Sequence, residues 1–265
     1  MKKLSVLIST ILIASIGLTG CNAKTTTETT PKDLLSTIKT EGKIRIGTEG
    51  TYAPYTFHDK DGKLTGFDVE IAEEVAKRLG VKPEFIETKW DGMFAGLDAK
   101  RFDMIVNQVG IKADRQEKYD FSDPYIVSKA VLIVNSDNTT ITKFEDLKGK
   151  KSAQSLTSNL AKIAETNGAV IQQIDGFNQA IDLLVSKRVD ATINDSLSFL
   201  DLKKQKPDLA IKVVDEEENA QPSGIMFNKG NKELVDATNK ALTDMKADGT
   251  YAKISDKWFA ADVSK

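Results

Sequence analysis

The sequence predicts an α/β protein of two similar lobes joined by two chain crossings, and three observations carry that prediction. Lys100-Arg101-Phe102-Asp103-Met104-Ile105-Val106-Asn107 is echoed by Lys187-Arg188-Val189-Asp190-Ala191-Thr192-Ile193-Asn194. Each copy follows an apolar helical run and reads helix, tight turn, short buried strand and a polar residue at the strand end. Apolar β-type and helix-type runs also alternate along the chain, which implies βαβ units, parallel-type sheets and right-handed crossovers. Finally, Ala130–Val134 and Gly224–Phe227 bracket the second set of such units and are expected to be the two crossing strands. Two crossings allow a hinge that closes around a ligand. The repeat alone also admits two ordinary helix–strand units alike by chance, and periodicity leaves open one large sheet.

The elements follow in order. Lys43–Gly47 alternates like a strand, and Asp68 stands where a helix N-cap would precede the stripe Ile71, Ala72, Val75, Ala76 and Leu79, closed by Gly80. Phe85-Ile86, a helix over Met93–Leu97 and Met104–Val106 complete a βαβαβ order. After a polar turn at Asn135–Asn138 the alternation restarts. Helices are expected at Ser158–Glu165, Gln179–Ser186 and Leu197–Lys204, and strands at Ala169–Ile174, Ala191–Ile193 and Ile211–Val214. A helical stripe over Lys232–Ala247 precedes Tyr251, Ile254, Trp258 and Phe259, which read as a docking surface.

The N-terminus places the protein outside the cytoplasm. Met1-Lys2-Lys3, an apolar run from Leu4 to Leu18 and then Leu18-Thr19-Gly20-Cys21 have the layout of a secretory signal peptide. The run is shorter than the ~20 residues a membrane span needs. Cys21 is the only cysteine, so no internal disulfide forms, and Leu-Thr-Gly-Cys resembles the lipobox of bacterial lipoproteins, in which the cysteine carries lipid such as palmitate. Residues 22–32 are threonine-rich without apolar periodicity and read as a tether.

Charge and motif content exclude several functions. A net charge of −2 with both signs mixed gives no basic block for nucleic acid. The single histidine, His58, lies in a turn, no cluster has metal-ligand spacing, and no glycine-rich phosphate loop is present. No cofactor, metal or catalytic residue is expected.

Binding is better supported. Arg115 follows the Val106-Asn107 strand end by a short polar loop, where its guanidinium can fork onto a carboxylate. The alternative for Arg115 is a surface ion pair with Asp114 or Glu117. Asp195, at the matching place in the second half, can accept from an ammonium. Across a cleft the two suit an α-amino acid, with Tyr52 offering an aromatic face and Phe57 expected in the core.

Successive blocks then resemble one family. They are Thr51-Tyr52-Ala53-Pro54-Tyr55-Thr56-Phe57, Gly66-Phe67-Asp68-Val69-Glu70-Ile71-Ala72, Trp90-Asp91-Gly92-Met93-Phe94-Ala95-Gly96-Leu97, Arg115 with Tyr119–Tyr125, and Leu147–Lys150. The chain is similar to the extracellular solute-binding proteins of polar amino-acid ABC importers. Ala153–Asn159 and Ala191–Asp195 look most like the cystine-binding subgroup.

The resemblance implies a periplasmic-binding-protein fold, with residues 1–20 as signal peptide, 21–40 as lipidated cysteine and tether, 41–132 with 226–265 as lobe 1, and 133–225 as lobe 2. It implies Arg115 on the ligand carboxylate with Ser158 and the backbone N–H groups at the start of its helix assisting, Asp195 on the ammonium, Asn107 and Gln108 lining the first lobe's wall, Tyr52 against the ligand body, and Gly110 and Thr157 also among the ligand-binding residues. Lys112, Gly110 and the Asn107-Gln108 pair depart from the family pattern and bear on side-chain specificity. The implied function is capture of a polar amino acid, L-cystine first, by a monomer anchored on the outer face of the cytoplasmic membrane and delivering to an ABC permease. The alternatives are an amino-acid-sensing receptor module or a dehydratase-like enzyme on the same fold.

Overall fold

Ile44 and Ile46 alternate with Arg45, so a strand through them buries one apolar face, and β1 (Lys43–Thr48) follows helix α1 (Leu34–Glu41) accordingly. The computed structural model describes residues 33–264; the signal peptide, Cys21 and the tether up to residue 32 lie outside the described residues. A small hairpin sheet of β2 (Thr51–Tyr52), β3 (Thr56–His58) and β4 (Leu64–Thr65) leads into α2 (Phe67–Leu79). The chain continues through β5 (Lys82–Glu87), α3 (Trp90–Asp98), β6 (Met104–Ile105), α4 (Ala113–Lys118) and β7 (Tyr119–Phe121). After β8 (Ile126–Ser128) come β9 (Ala130–Asn135), β10 (Lys151–Gln154), α5 (Asn159–Thr166), β11 (Val170–Gln173), α6 (Phe177–Val185), β12 (Ala191–Asp195), α7 (Ser196–Gln205) and β13 (Ile211–Glu216). The return is β14 (Gln221–Ser223), β15 (Met226–Asn228), α8 (Lys232–Ala247) and α9 (Thr250–Phe259).

Two five-stranded sheets result, ordered β5-β1-β6-β15-β7 and β11-β10-β12-β9-β13. In each, three strands pair in parallel, a fourth (β15 or β9) runs against them, and the fifth pairs antiparallel to that fourth strand, so the sheets are mixed rather than wholly parallel. The parallel trio matches the expected βαβαβ units. The antiparallel strands β15 and β9 each enter one sheet directly from the link to the other, without a crossover helix. Apolar clusters cover both faces of each sheet, with α2, α8 and α9 on one face of the first and α3 on the other. The second sheet has α6 on one face and α5 on the other.

The two runs expected to cross between lobes are corrected. Ala130–Val134 is buried throughout and paired on both sides, because five consecutive apolar residues suit a strand covered on both faces. Met226 likewise pairs within the first sheet. The links are instead β8 and β14, an antiparallel ribbon pairing Ser128 with Gln221 and Ile126 with Ser223. A boundary at residue 132 would therefore cut β9, all of whose partners lie in the second sheet.

Both copies of the repeat form one turn. Lys100 and Lys187 take left-handed backbones, with φ of 56° and 58°. The next two residues behave alike: Arg101 N–H reaches Gly96 O and Arg188 N–H reaches Leu183 O, each at 2.9 Å. The aspartates then grip the first strand of each parallel trio. Asp103 accepts from Arg45 N–H and Asp190 from Lys151 N–H, each at 2.8 Å. Phe102 fits only because β1 and α3 supply glycines: a Cβ on Gly47 or Gly96 would stand 2.6 or 2.7 Å from its ring.

Asp68 is not the N-cap of α2. Gly66 holds that position, and Asp68, the second residue of the helix, is turned wholly inward. Tyr251, Ile254 and Phe259 pack onto the first lobe's own core, Phe259 lying 5.1 Å from Phe67 and 6.0 Å from Tyr55, so the C-terminal aromatics dock within the lobe that carries them.

Candidate ligand-binding cleft

The parallel strands of both sheets point their carboxyl ends at one cleft, where ligands of open α/β sheets bind. The cleft takes in about 840 Å³ of space, its mouth included. β1 and β6 deliver Glu49, Asn107, Gln108 and Gly110 to its wall, β10 and β12 deliver Gln154, Ser158, Asn194 and Asp195, and the ribbon delivers Ser128 and Ser223. Tyr52 and Trp90 add aromatic surface.

The lobes stand closed on each other. Tyr52 Oη donates to Asn194 Oδ1 at 2.8 Å, Ser198 Oγ donates to Ala53 O at 2.7 Å, and Tyr55 Oη donates to Asp195. At the rim, Asp91 accepts from the N–H and hydroxyl of Thr157 at 3.0 and 2.9 Å, and Lys89 meets Asp175 at 2.7 Å.

Most of the expected site residues converge here. Tyr52, Asn107, Gln108, Gly110, Ser158 and Asp195 all line the cleft. Asn107 is fully buried and committed within its own lobe: its Oδ1 accepts from Glu49 N–H at 2.8 Å and its Nδ2 donates to Glu49 Oε2 at 2.7 Å. Ser158 is the N-cap of α5, accepting from Ala161 N–H at 3.0 Å, so the first turn of that helix faces the cleft. Asp195 caps α7, accepting from Leu197 N–H at 2.9 Å, and also accepts from Ser128 and Tyr55 hydroxyls. Burial pushes its carboxyl upward against those hydrogen bonds.

Arg115 and Thr157 are placed differently from expectation. Thr157 spends both its N–H and its hydroxyl on Asp91 and does not line the cleft. Arg115 makes no ion pair with Asp114 or Glu117; it is buried, and its guanidinium lies 5.6 Å from the Trp90 ring and 5.2 Å from that of Phe94. Such cation–π contacts contribute about 0.5–2 kcal/mol each. Its Nη1 donates to Gly110 O at 3.0 Å, and burial lowers its pKa. The guanidinium stands behind Gly110, only 3.7 Å from where a Cβ there would sit, and opens onto an adjoining groove with Lys112, Ser158 and Lys162.

Several groups at the cleft are not among the site residues expected from the sequence, Glu49 and Trp90 among them. Glu49 lines the wall, and burial first, with Asp91 nearby, pushes its carboxyl up to about 7 against the Asn107 hydrogen bond. The rule that singled out Asn107, a polar residue just past a parallel strand, also applies to Glu49 after β1. Trp90, which the sequence shows only within one of the family blocks, opens α3 and lines the cleft as well. Phe57 packs edge-on to Trp258 at 5.8 Å but is only partly buried, outside the core in which it was expected. His58 is exposed and lies 3.1 Å from both Gly50 O and Glu87.

Two like-ordered sheets, a ribbon between them and a polar cleft closed by cross-lobe hydrogen bonds define a two-lobed binding protein. The chain belongs to the bacterial extracellular solute-binding proteins, family 3, whose sequence profile matches residues 44–261. Its relatives include the L-cystine-binding protein TcyA of Bacillus subtilis (strain 168), 48% identical over 267 residues that cover 100% of this chain and 99% of the relative. Among solved structures, an ancestral arginine-binding protein bound to arginine matches with a TM-score of 0.78 at 41% identity, covering 82% of this chain and 98% of the other. The L-cystine solute receptor of Neisseria gonorrhoeae, in an unliganded open conformation, matches at 0.57 despite 47% identity, over 86% of this chain and 97% of the other. The lobes stand closed here, whereas that receptor is open. The chain is a solute-binding protein and not an enzyme.

Proposed function

We propose that the cleft takes an α-amino acid, L-cystine before others, and that the protein hands it to an ABC permease. The observation that carries this reading is the buried Arg115. Within the protein its guanidinium donates only to a neutral carbonyl, and among the described residues no carboxylate lies within ion-pair distance. A buried cation without a counter-ion is costly, and a ligand carboxylate supplies one. Asp195, with Ser128 and Tyr55, stands at the opposite side as the ammonium acceptor. Glu49 and Lys129, the latter paired with Glu216 at 2.8 Å, also line the cleft and present an acid and an ammonium to a second amino-acid end, which suits cystine. The cystine assignment is further supported by the relatives that are named for that ligand.

Ligand contacts from both lobes favour the closed state, so capture works by population shift. In this reading the lobes divide at the β8–β14 ribbon, Tyr52, Asn107, Gln108, Gly110, Ser158 and Asp195 touch or frame the ligand, and Thr157 acts at the rim. Lipid on Cys21, after removal of residues 1–20, holds the protein, as a monomer, on the outer face of the cytoplasmic membrane.

Calorimetric titration of the chain from Asn22 onward with L-cystine and a panel of amino acids tests the proposal. One-to-one binding of cystine at micromolar strength or tighter is expected, about −8 kcal/mol or better. Arg115→Ala should weaken it by about 3–5 kcal/mol. Tight binding of another amino acid would move the specificity, and heat from none would overturn the reading.

A further inference from the structure

The first lobe contains a buried carboxylate that the binding scheme above does not use. Asp68 is fully buried in the first turn of α2, and among the described residues no cation pairs with it. Both its oxygens are taken by one residue: Oδ2 accepts from Gln108 N–H at 2.8 Å and Oδ1 accepts from Gln108 Nε2 at 2.7 Å. The hydroxyl of Tyr125 closes the group, 3.3 Å from Gln108 N. Gln108 in turn has φ of 54°, a left-handed conformation that costs a non-glycine residue about 1–2 kcal/mol. Such an outlier persists only where its surroundings over-determine it.

The consequences reach the cleft within two residues. Gln108 and Gly110 line its wall, Val109 is buried between them, and Gly110 O is the acceptor that Arg115 uses. Gly110 is also bridged to Ser223 of the ribbon, and Gly224 N–H donates to Val109 O at 3.0 Å. The chain from 108 to 110 therefore ties α2, the guanidinium and the inter-lobe ribbon together.

We propose that Asp68 is a positioning residue for ligand binding, its carboxylate holding Gln108 in the left-handed conformation that aims the 108–110 segment at the cleft and sets the carbonyl on which Arg115 rests. The inference rests on the reading of the cleft as the amino-acid site. A carboxylate suits this task better than an amide, because Gln108 presents two donors and only an ionised acid accepts at both oxygens without a donor of its own. The groups facing Asp68 are tyrosine hydroxyls, of which Tyr125 is in contact, and the acidic Asp195. Burial accordingly pushes Asp68 up to about 7, so that its grip on Gln108 weakens as the solution is acidified through neutrality.

A double-mutant cycle on the whole mature chain tests this, read as the dissociation constant for L-cystine beside the melting temperature. Asp68→Asn keeps the shape but turns one acceptor into a donor facing Gln108, and is expected to weaken binding about tenfold or more. Gln108→Gly sets the second reference, since glycine takes a φ of 54° unaided. In that background Asp68→Asn should change the constant by less than about twofold. Equal losses in both backgrounds would overturn the positioning role while leaving the ligand reading intact. If the unaltered chain binds no amino acid, the ligand reading falls and this one falls with it.

Should Asp68→Asn not fold, the amide resonances of Gln108 in the unaltered protein decide. The backbone N–H and the side-chain NH2 are expected to titrate together, with one midpoint well above the ordinary carboxylate range. Resonances that titrate separately, or a side-chain NH2 that exchanges as freely as a solvent-exposed amide, would overturn the proposal.

Discussion

The two copies of the Lys-Arg-x-Asp repeat have the same turn and different surroundings. Lys100 and Lys187 share a left-handed backbone, and Asp103 and Asp190 accept from equivalent strand N–H groups at the same distance. Beyond the turn they diverge. Asp103 is buried and also binds the Arg45 guanidinium at 2.6 Å, whereas Asp190 is exposed. Asn107 is folded into its own lobe against Glu49, while Asn194 reaches across the cleft to Tyr52. A short motif thus specifies a local turn, and the side chains around it determine whether its last residue braces a wall or bridges two lobes.

Three predictions sharpen or break that contrast. The largest concerns packing under the turn. Phe102→Ala should cost about 3–5 kcal/mol in denaturant unfolding, because the space between Gly47 and Gly96 is left without a filler. Val189→Ala, at the equivalent place, should cost about 1.5–2 kcal/mol. Equal costs would show that the two turns are packed alike.

Next is pH. Glu49 and Asp68, both on the first lobe's wall, have carboxyls pushed by burial to about 7 in the folded protein, from ordinary values of 4.5 and 3.8. The folded state therefore binds more protons than the unfolded state between those values. The stability these groups contribute is complete below about pH 4 and is lost as pH rises through about 7. Unfolding free energy should fall by roughly 2–3 kcal/mol from each of these groups between pH 5 and 8. Glu49→Gln should flatten part of that slope, and an unchanged slope would contradict the assignment.

The smallest effect is at the rim. Asp91→Ala removes the bonds to Thr157, which form only when the lobes are shut. Exposed contacts of this kind are worth up to about 1 kcal/mol. Stopped-flow release of the ligand should accelerate by up to about fivefold, with association little changed. An unchanged release rate would mean that the rim contacts follow closure without favouring it.

Much of this architecture was legible in the chain. Strand and helix runs are set by local apolar period, and Lys232–Ala247 is helical over the span that its stripe marks. The strand-end rule located Asn107, Gln108 and Asp195, the loop and aromatic run beside the strand ends gave Arg115 and Tyr52, and the family resemblance added Gly110 and Ser158 as wall or near-wall residues. What stayed hidden depends on distant partners. Asp68 reads as an N-cap until Gln108, forty positions away, is seen to occupy both its oxygens. Thr157 reads as a ligand contact until Asp91 of the other lobe is placed beside it. The ribbon of Ile126–Ser128 and Gln221–Ser223 is too short and too polar to stand out beside the apolar strands that follow each half.

The most direct test of a cleft with one cationic and one anionic side is a crystal structure of the protein grown with L-cystine. The α-carboxylate is predicted beside the Arg115 guanidinium and the start of α5, with the α-ammonium at Asp195 and the lobes closed as described. A ligand lodged with its charges reversed, or outside the cleft between Tyr52 and Ser158, would contradict the account.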